Sequence, residues 1–422
     1  MINDTYDFLE KRGYVYQLTQ PEEIKIALNN GKTVFYLGID PTADSLHIGH
    51  FFALMMFRKL QKAGLKGIVI IGGATALVGD PSGKTDMRKM LTKEEVEKNL
   101  DEVKMLIKKF VETDGENPAI ILNNADWIGN KNYVDFLREV GVHFNMAKML
   151  KADAYANRIK EGGLSFMEMG YMLMQAYDFV YLKEKYGCTL QIGGSDQWGN
   201  IIAGVELNRK LNFLDGTKQE IYGLTCPLLM TKDGKKMGKT EDGTLWVARE
   251  KTSVFNFYQY FFNVPDENTE MLLKLFTEIE QDEIDKVINE DIVKAKRLMS
   301  YEITKLVHGK EAADDAVETV KQLFGKKNCA INAPSYTMDS VDLEQGISAL
   351  DVAVASGLIE SYLHGKGIIA QGGFSINNKK VKDIDLKLTL DDVNEDGKIL
   401  MQRGKKTFIQ IIVRPNQSST TR

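Results

Sequence analysis

Cysteine is nearly absent from this chain: three residues in 422, Cys188, Cys226 and Cys329, odd in number and far apart. That spacing argues against a disulfide framework and fits a reducing compartment, the cytoplasm. No apolar run is long enough to span a bilayer, and residues 1–12 are charged rather than signal-like, so no membrane partner is expected. Basic charge is not in excess either. A net charge of −5 and a pI near 5.8 argue against wholesale coating of nucleic acid, though a local basic patch remains open. A phosphate-binding P-loop is missing as well. Three Gly-Lys-Thr triplets occur, but the glycine required five places upstream is replaced by Ile26, Val78 or Asp233.

What the chain does have is one organising stretch, Tyr36-Leu-Gly38-Ile-Asp40-Pro-Thr42-Ala-Asp44-Ser45-Leu-His47-Ile-Gly49-His50. Residues 34–39 read as an apolar strand, broken at Asp40-Pro41. Asp44-Ser45 offers a helix N-cap, after which Phe51, Leu54, Met55 and Phe57 give amphipathic spacing. A strand feeding a helix through a polar turn directs backbone N–H groups and the helix dipole at an anion. His47 and His50 project from one face of the first turn, and Gly49 leaves room for a flat group such as a purine. A metal pair needs more His or Cys nearby than the sequence provides. On these residues alone, a metal pair, two half-buried structural histidines and a nucleotide-phosphate site all stay open.

The length predicts two or three domains. Strands are expected at 65–71, 119–122 and 189–192, and helices at 93–111, 133–149, 166–183 and 201–211. This alternation predicts an α/β fold with a doubly wound parallel sheet. Asp80 beside Gly79 is a candidate partner for an α-ammonium group. Lys84 and Arg88 suit either a pyrophosphate or a solvated loop. Tyr171, Gln175 and Asp178 recur at i, i+4 and i+7 as a polar stripe on an otherwise apolar helix. A wetted face would more usually carry Lys and Glu, whereas Tyr, Gln and Asp suit the gripping of an amino acid. Gly193-Gly194-Ser-Asp196-Gln197 lets backbone approach a ligand and offers Asp196 to ribose hydroxyls, or it is a turn with a capping Asp. The loop at 231–240 carries Lys236, Lys239 and Thr240. It reads as a mobile loop closing on a triphosphate, or as a basic hairpin.

Residues 254–262, 267–288 and 291–324 read as helical, and 326–345 as a linker. A small module follows, with helices at 350–356 and 359–369 and a hairpin at 375–379. Its Lys379, Lys380, Lys382, Arg403, Lys405 and Lys406 form either a phosphate-binding side or a solvated basic face. Residues 414–422 are polar and expected to be disordered.

His47-Ile-Gly-His50 resembles the first signature of class I aminoacyl-tRNA synthetases, and the longer string from Tyr36 resembles their tyrosyl branch. Lys236-Met-Gly238-Lys239-Thr240 resembles the second signature, Lys-Met-Ser-Lys-Ser, with Gly238 and Thr240 in place of the serines. The C-terminal module is similar to a small RNA-binding fold shared with a ribosomal protein, except that His364-Gly-Lys366-Gly replaces its Arg-rich helix. The resemblance covers essentially the whole chain. It implies a Rossmann-like catalytic domain (1–225, including the dimerisation insertion), the mobile loop (226–245), a helical anticodon-binding domain (246–325), the linker and a small α+β RNA-binding domain (346–413). It also implies a homodimer, L-tyrosine, tRNA(Tyr) and ATP as substrates, Mg²⁺ carried with ATP, and no protein-bound zinc.

The resemblance further implies roles. Tyr36 and Asp178 hold a substrate phenol, and Tyr171, Asp80 and Gln175 its ammonium. Gly38, Asp40, Gly49, Gly194, Asp196 and Gln197 surround the adenylate. Thr42, His47 and His50 face phosphates, while Lys84, Arg88, Lys236, Lys239 and Thr240 close on pyrophosphate. Leu37 and Ala53 depart from residues common at those positions, where they tune affinity. Three neighbouring readings share parts of the pattern: a tryptophanyl enzyme, a nucleotidylyltransferase and a non-enzymatic RNA-binding scaffold.

Overall fold

The computed structural model describes residues 4–82, 90–231, 234, 236–240, 243–324, 334–377, 379–394, 397–404 and 407–414. Contacts divide the chain into two units, Met1–Thr252 with Val264–Ala295, and Ser253–Asn263 with Lys296–Arg422.

The first unit is built on six strands: β1 (Gln17–Leu18), β2 (Val34–Ile39), β3 (Lys66–Ile71), β4 (Ile120–Asn123), β5 (Cys188–Gly194) and β6 (Tyr222–Cys226). They lie in the order β1-β6-β5-β2-β3-β4, parallel throughout except for the short edge strand β1. The apolar runs of β2, β3 and β5 are buried almost end to end, as strands covered on both faces require. The order reverses beside β2, whose neighbours are β3 on one side and β5 on the other. Ligands of such sheets bind at that switch, beyond the carboxyl ends of the strands.

Local chemistry sets the helices. Lys93–Phe110 opens with a capping box of Thr92 and Glu95, and Phe166–Tyr186 with one of Ser165 and Glu168, closing at left-handed Gly187. The strand expected at 189–192 runs on through both glycines. The expected 133–149 helix is instead Tyr133–Glu139, a turn of 3₁₀ helix at Gly141–His143 and Met146–Met149. Asn132 and Asn145 each accept from backbone N–H groups and start new helices. A further helix, Asp153–Glu161, has no counterpart in the sequence reading.

The helical segment 264–295 was expected with the anticodon-binding domain, yet it groups with the first unit. Hydrogen bonds give the reason. The buried Arg12 guanidinium donates to the carbonyls of Lys274, Thr277 and Ile279, and Tyr14 donates to that of Leu275. Lys59 donates to Thr277 O and pairs with Glu278. These groups satisfy carbonyls at the end of Thr269–Phe276 that the helix itself cannot.

In the second unit, helices Val254–Phe262 and Lys310–Phe324 precede a five-stranded sheet. Its strands are β7 (Ser335–Asp339), β8 (Phe374–Ile376), β9 (Lys379–Lys380), β10 (Lys398–Arg403) and β11 (Thr407–Arg414), in the order β9-β8-β10-β11-β7. Helices Ala349–Ala355 and Tyr362–Ala370 belong to the same module, and Leu350, Phe374, Ile399, Met401 and Ile411 form its core. The hairpin at 375–379 is present, turning at Asn377 with φ +47°. β7 lies inside the expected linker, because it pairs in parallel with the last strand. Lys405, Lys406 and residues 415–422 fall outside the described residues.

Candidate active site

A cavity of about 380 Å³ opens at the sheet's switch point. The ends of β2 and β5, the start of helix Ile48–Lys62 and the stripe of Phe166–Tyr186 all face it. Of the candidate residues, Tyr36, Gly38, Asp40, Thr42, His47, Gly49 and His50 line it from the first stretch. Asp80, Tyr171, Gln175, Asp178, Gly194, Asp196, Gln197 and Lys236 line it from the others, and Leu37 and Ala53 reach it too. Lys84 and Arg88 lie outside the described residues. Lys239 and Thr240 are described as backbone, a two-residue strand paired with Gly243–Thr244.

At one end sits Asp178, 4 % exposed. Its two oxygens accept from Asn124 Nδ2 at 3.0 Å and Trp127 Nε1 at 2.7 Å. Burial raises its carboxyl to about 7, against the pull of those two hydrogen bonds. Tyr36 is 1 % exposed, and burial with the nearby Asp178 charge holds its phenol neutral, well above the usual range. The Tyr36 hydroxyl and the Gln175 and Gln191 side-chain oxygens are buried with no protein partner among the described residues. A buried polar atom without a partner is costly, so these groups mark where a polar ligand is to be received.

Further along, Asp40 accepts from Thr75 Oγ1 at 2.7 Å and from Tyr171 Oη at 2.9 Å. Tyr171 is thus held by Asp40. Asp80 instead accepts from Gln197 Nε2 at 2.7 Å and from the Ser82 N–H at 2.9 Å. Asn124 also donates to Thr75 at 3.0 Å. A hydrogen-bonded chain therefore joins Asp178 to Asp40 and Tyr171 through Asn124 and Thr75. Asp196 lies 3.6 Å from Lys236 Nζ; burial raises its carboxyl, with the Lys236 charge opposing.

At the start of helix Ile48–Lys62 the sequence reading needs a correction. The N-cap is His47 itself, not Asp44 or Ser45. His47 Nδ1 accepts from the N–H groups of Gly49 and His50 at 3.1 and 3.2 Å. An accepting Nδ1 assigns the ring proton to Nε2, a donor. The His47 and His50 rings stack at 3.7 Å and 13°. Gly49 lines the cavity and also leaves room for this ring: a Cβ there would lie 3.0 Å from His47 Cε1. Two imidazoles and the positive end of a 15-residue helix thus share one face of the cavity.

Thr75, Asn124 and Gln191, which line the cavity, and Trp127, which holds Asp178, were not singled out by the sequence reading. Asn124 and Trp127 follow the end of β4, and Gln191 lies in β5; position at a parallel strand's carboxyl end was the available signal for the first two. Among the described residues no group of three or more His, Cys, Asp or Glu is arranged to hold a metal ion, and no helix is long and apolar enough to cross a membrane.

Known proteins resemble the chain over nearly its whole length. The family of class I tRNA synthetases for W and Y matches residues 28–325, and a C-terminal domain of tyrosine–tRNA ligases matches residues 328–411. Tyrosine–tRNA ligase 1 of Clostridium acetobutylicum is 46 % identical over 98 % of this chain and 100 % of its own length. Tyrosine–tRNA ligase of Clostridium tetani is 44 % identical over 98 % and 100 %. A C-terminally truncated mitochondrial tyrosyl-tRNA synthetase of Aspergillus nidulans superposes with a TM-score of 0.67 at 30 % identity, covering 76 % of this chain and 94 % of that one. The chain belongs to the class I tRNA synthetases, in the family of the tyrosine–tRNA ligases.

Proposed function

We propose that the cavity at the switch point binds L-tyrosine and MgATP together and that its residues act as follows. The tyrosine phenol lies between Tyr36 and Asp178, and its ammonium meets Tyr171, Gln175 and Asp80. The tyrosine carboxylate attacks the ATP α-phosphorus; the bond to the bridging oxygen breaks and pyrophosphate leaves with Mg²⁺. Asp40, Gly38, Gly49, Gly194, Asp196 and Gln197 surround the resulting adenylate. Its carbonyl is then attacked by the terminal ribose hydroxyl of tRNA(Tyr), releasing AMP.

No protein nucleophile is required, so rate comes from positioning and from charge placed where charge develops. His47 Nε2, His50, Thr42 and the helix N-terminus meet the phosphates. Lys236, Lys239 and Thr240, with Lys84 and Arg88, stabilise the leaving pyrophosphate. One observation carries this reading: a carboxyl group and a phenol, both buried, line the same pocket as two histidines at a helix N-terminus.

A larger cavity, about 1000 Å³, shares Asp196 with this region and carries Lys148, Lys151, Arg209 and Lys210. Its cations suit the phosphates of the tRNA acceptor end. Exposed Tyr133, Val134, Leu137, Val142, Met146 and Leu150 support pairing of two copies through the expected insertion. Buried unpaired Cys188 and Cys226 suit a cytoplasmic setting.

Single-turnover kinetics test the assignment. His50→Ala and Lys236→Ala should each slow adenylate formation at least tenfold while leaving the tyrosine Kd within about twofold. A weakened tyrosine Kd with an unchanged rate would place these residues at the wrong end of the pocket.

A further inference from the structure

Asp44 and Ser45 do not cap the signature helix; they grip another segment. Lys251 Nζ lies 2.5 Å from Asp44 Oδ1. The Ala248 N–H donates to Ser45 Oγ at 3.1 Å, and the Val247 N–H to Leu46 O at 2.8 Å. Trp246 and His47 form an antiparallel bridge. Four consecutive residues before the helix are therefore engaged by residues 246–251. The Lys251 ammonium also stands 5.2 Å over the Trp246 ring, which lines the cavity.

The other end of this strap is the root of the lysine loop. The Leu245 N–H donates to Gly238 O at 2.7 Å. Gly238 has φ +84°, and a Cβ there would lie 2.1 Å from Ile48 Cγ2. A glycine in place of the signature serine is thus what lets the loop backbone rest on the first residue of the helix. The loop that carries Lys236 touches the first signature from one side, and residues 246–251 tie it from the other.

We propose that the Asp44–Lys251 ion pair, seated on Trp246, is a positioning latch that joins the two signatures, so that the lysine loop and the His47–His50 face meet the phosphates as one body. This rests on the reading that both signatures act on ATP. Asp44 and Lys251 touch no reacting atom and act through the turn before His47. Their side chains are 40 % and 34 % exposed, so the pair adds little to global stability and couples its partners by a factor of about two to five.

The test uses the full-length enzyme and single-turnover formation of tyrosyl-adenylate from tyrosine and MgATP. Asp44→Asn and Lys251→Met should each slow the rate constant about threefold, with the tyrosine Kd unchanged. The double variant should lose no more than either single variant, and Lys251→Arg should retain most of the wild-type rate. The gap between wild type and Lys251→Met should narrow between about 0.05 and about 0.5 M NaCl, as the charge pair is screened. Additive losses, unchanged rates or a gap indifferent to salt overturn the latch. Should either single variant unfold, Asp44→Lys with Lys251→Asp decides: restored rate supports the pair, and loss refutes it. A wild-type enzyme that makes no adenylate would refute the underlying reading itself, an outcome distinct from variants that match an active wild type.

Discussion

Asp178 is the residue on which amino-acid choice turns in the proposed function. Its carboxylate is taken out of water and held by Asn124 and Trp127, with the Tyr36 hydroxyl also awaiting a partner. On the proposed reading a substrate phenol pairs with both groups, whereas phenylalanine leaves the Tyr36 hydroxyl without a partner and Asp178 with only Asn124 and Trp127, which is costly. Asp178→Ala should lower kcat/KM for tyrosine by about 1.5–3 kcal/mol, on the order of ten- to a hundredfold, in pyrophosphate exchange. The pH dependence has a definite sign. The folded carboxyl is raised from 3.8 to about 7, so its contribution to stability is full below about pH 3.8 and lost as pH rises through about 7. Capture of the phenol needs the ionised form, so kcat/KM for tyrosine should rise through a pKa near 7, and Asn124→Ala should move that inflection upward. A profile flat between about pH 6 and about pH 8 would contradict this role. The stripe Tyr171, Gln175 and Asp178 is legible because it repeats within one helix. Asn124 and Trp127 lie 54 and 51 residues from Asp178, and no periodicity links them to it.

At the scale of elements, the parallel sheet and its helices are legible because each carries its own period and caps. What the sequence hides is contact across long intervals. Arg12 reaches carbonyls 262 to 267 residues away, so the end of helix Thr269–Phe276 belongs with the N-terminal segment, which helical spacing alone cannot express. β7 hides for the same reason: among the described residues its strand partner is β11 alone. The N-cap of the signature helix was misplaced because Asp44-Ser45 has the side chains favoured at caps, whereas the cap is an imidazole. Arg12→Ala removes three charge-assisted hydrogen bonds and leaves carbonyls unsatisfied. It should destabilise the first unit by about 3 kcal/mol in urea unfolding, with exposed Lys11→Ala within about 0.5 kcal/mol of wild type. Equal midpoints for the two variants would show that the clamp contributes nothing.

At the scale of the molecule, apolar side chains on 133–150 stand in solvent in the single chain, Val142 at 69 % exposed. Pairing of two copies would cover them. Sedimentation should therefore give a dimer, and Val142→Asp should shift it toward monomer by burying a charge in the interface. A wild-type chain that sediments as a monomer at micromolar concentration would remove that face from the account. One measurement reaches the chemistry of the whole pocket directly. Labelled pyrophosphate exchange into ATP, run without tRNA against each standard amino acid, should proceed with tyrosine alone. Exchange with tryptophan in place of tyrosine, or with no amino acid at all, would contradict the assignment of the buried carboxylate and phenol to a substrate hydroxyl.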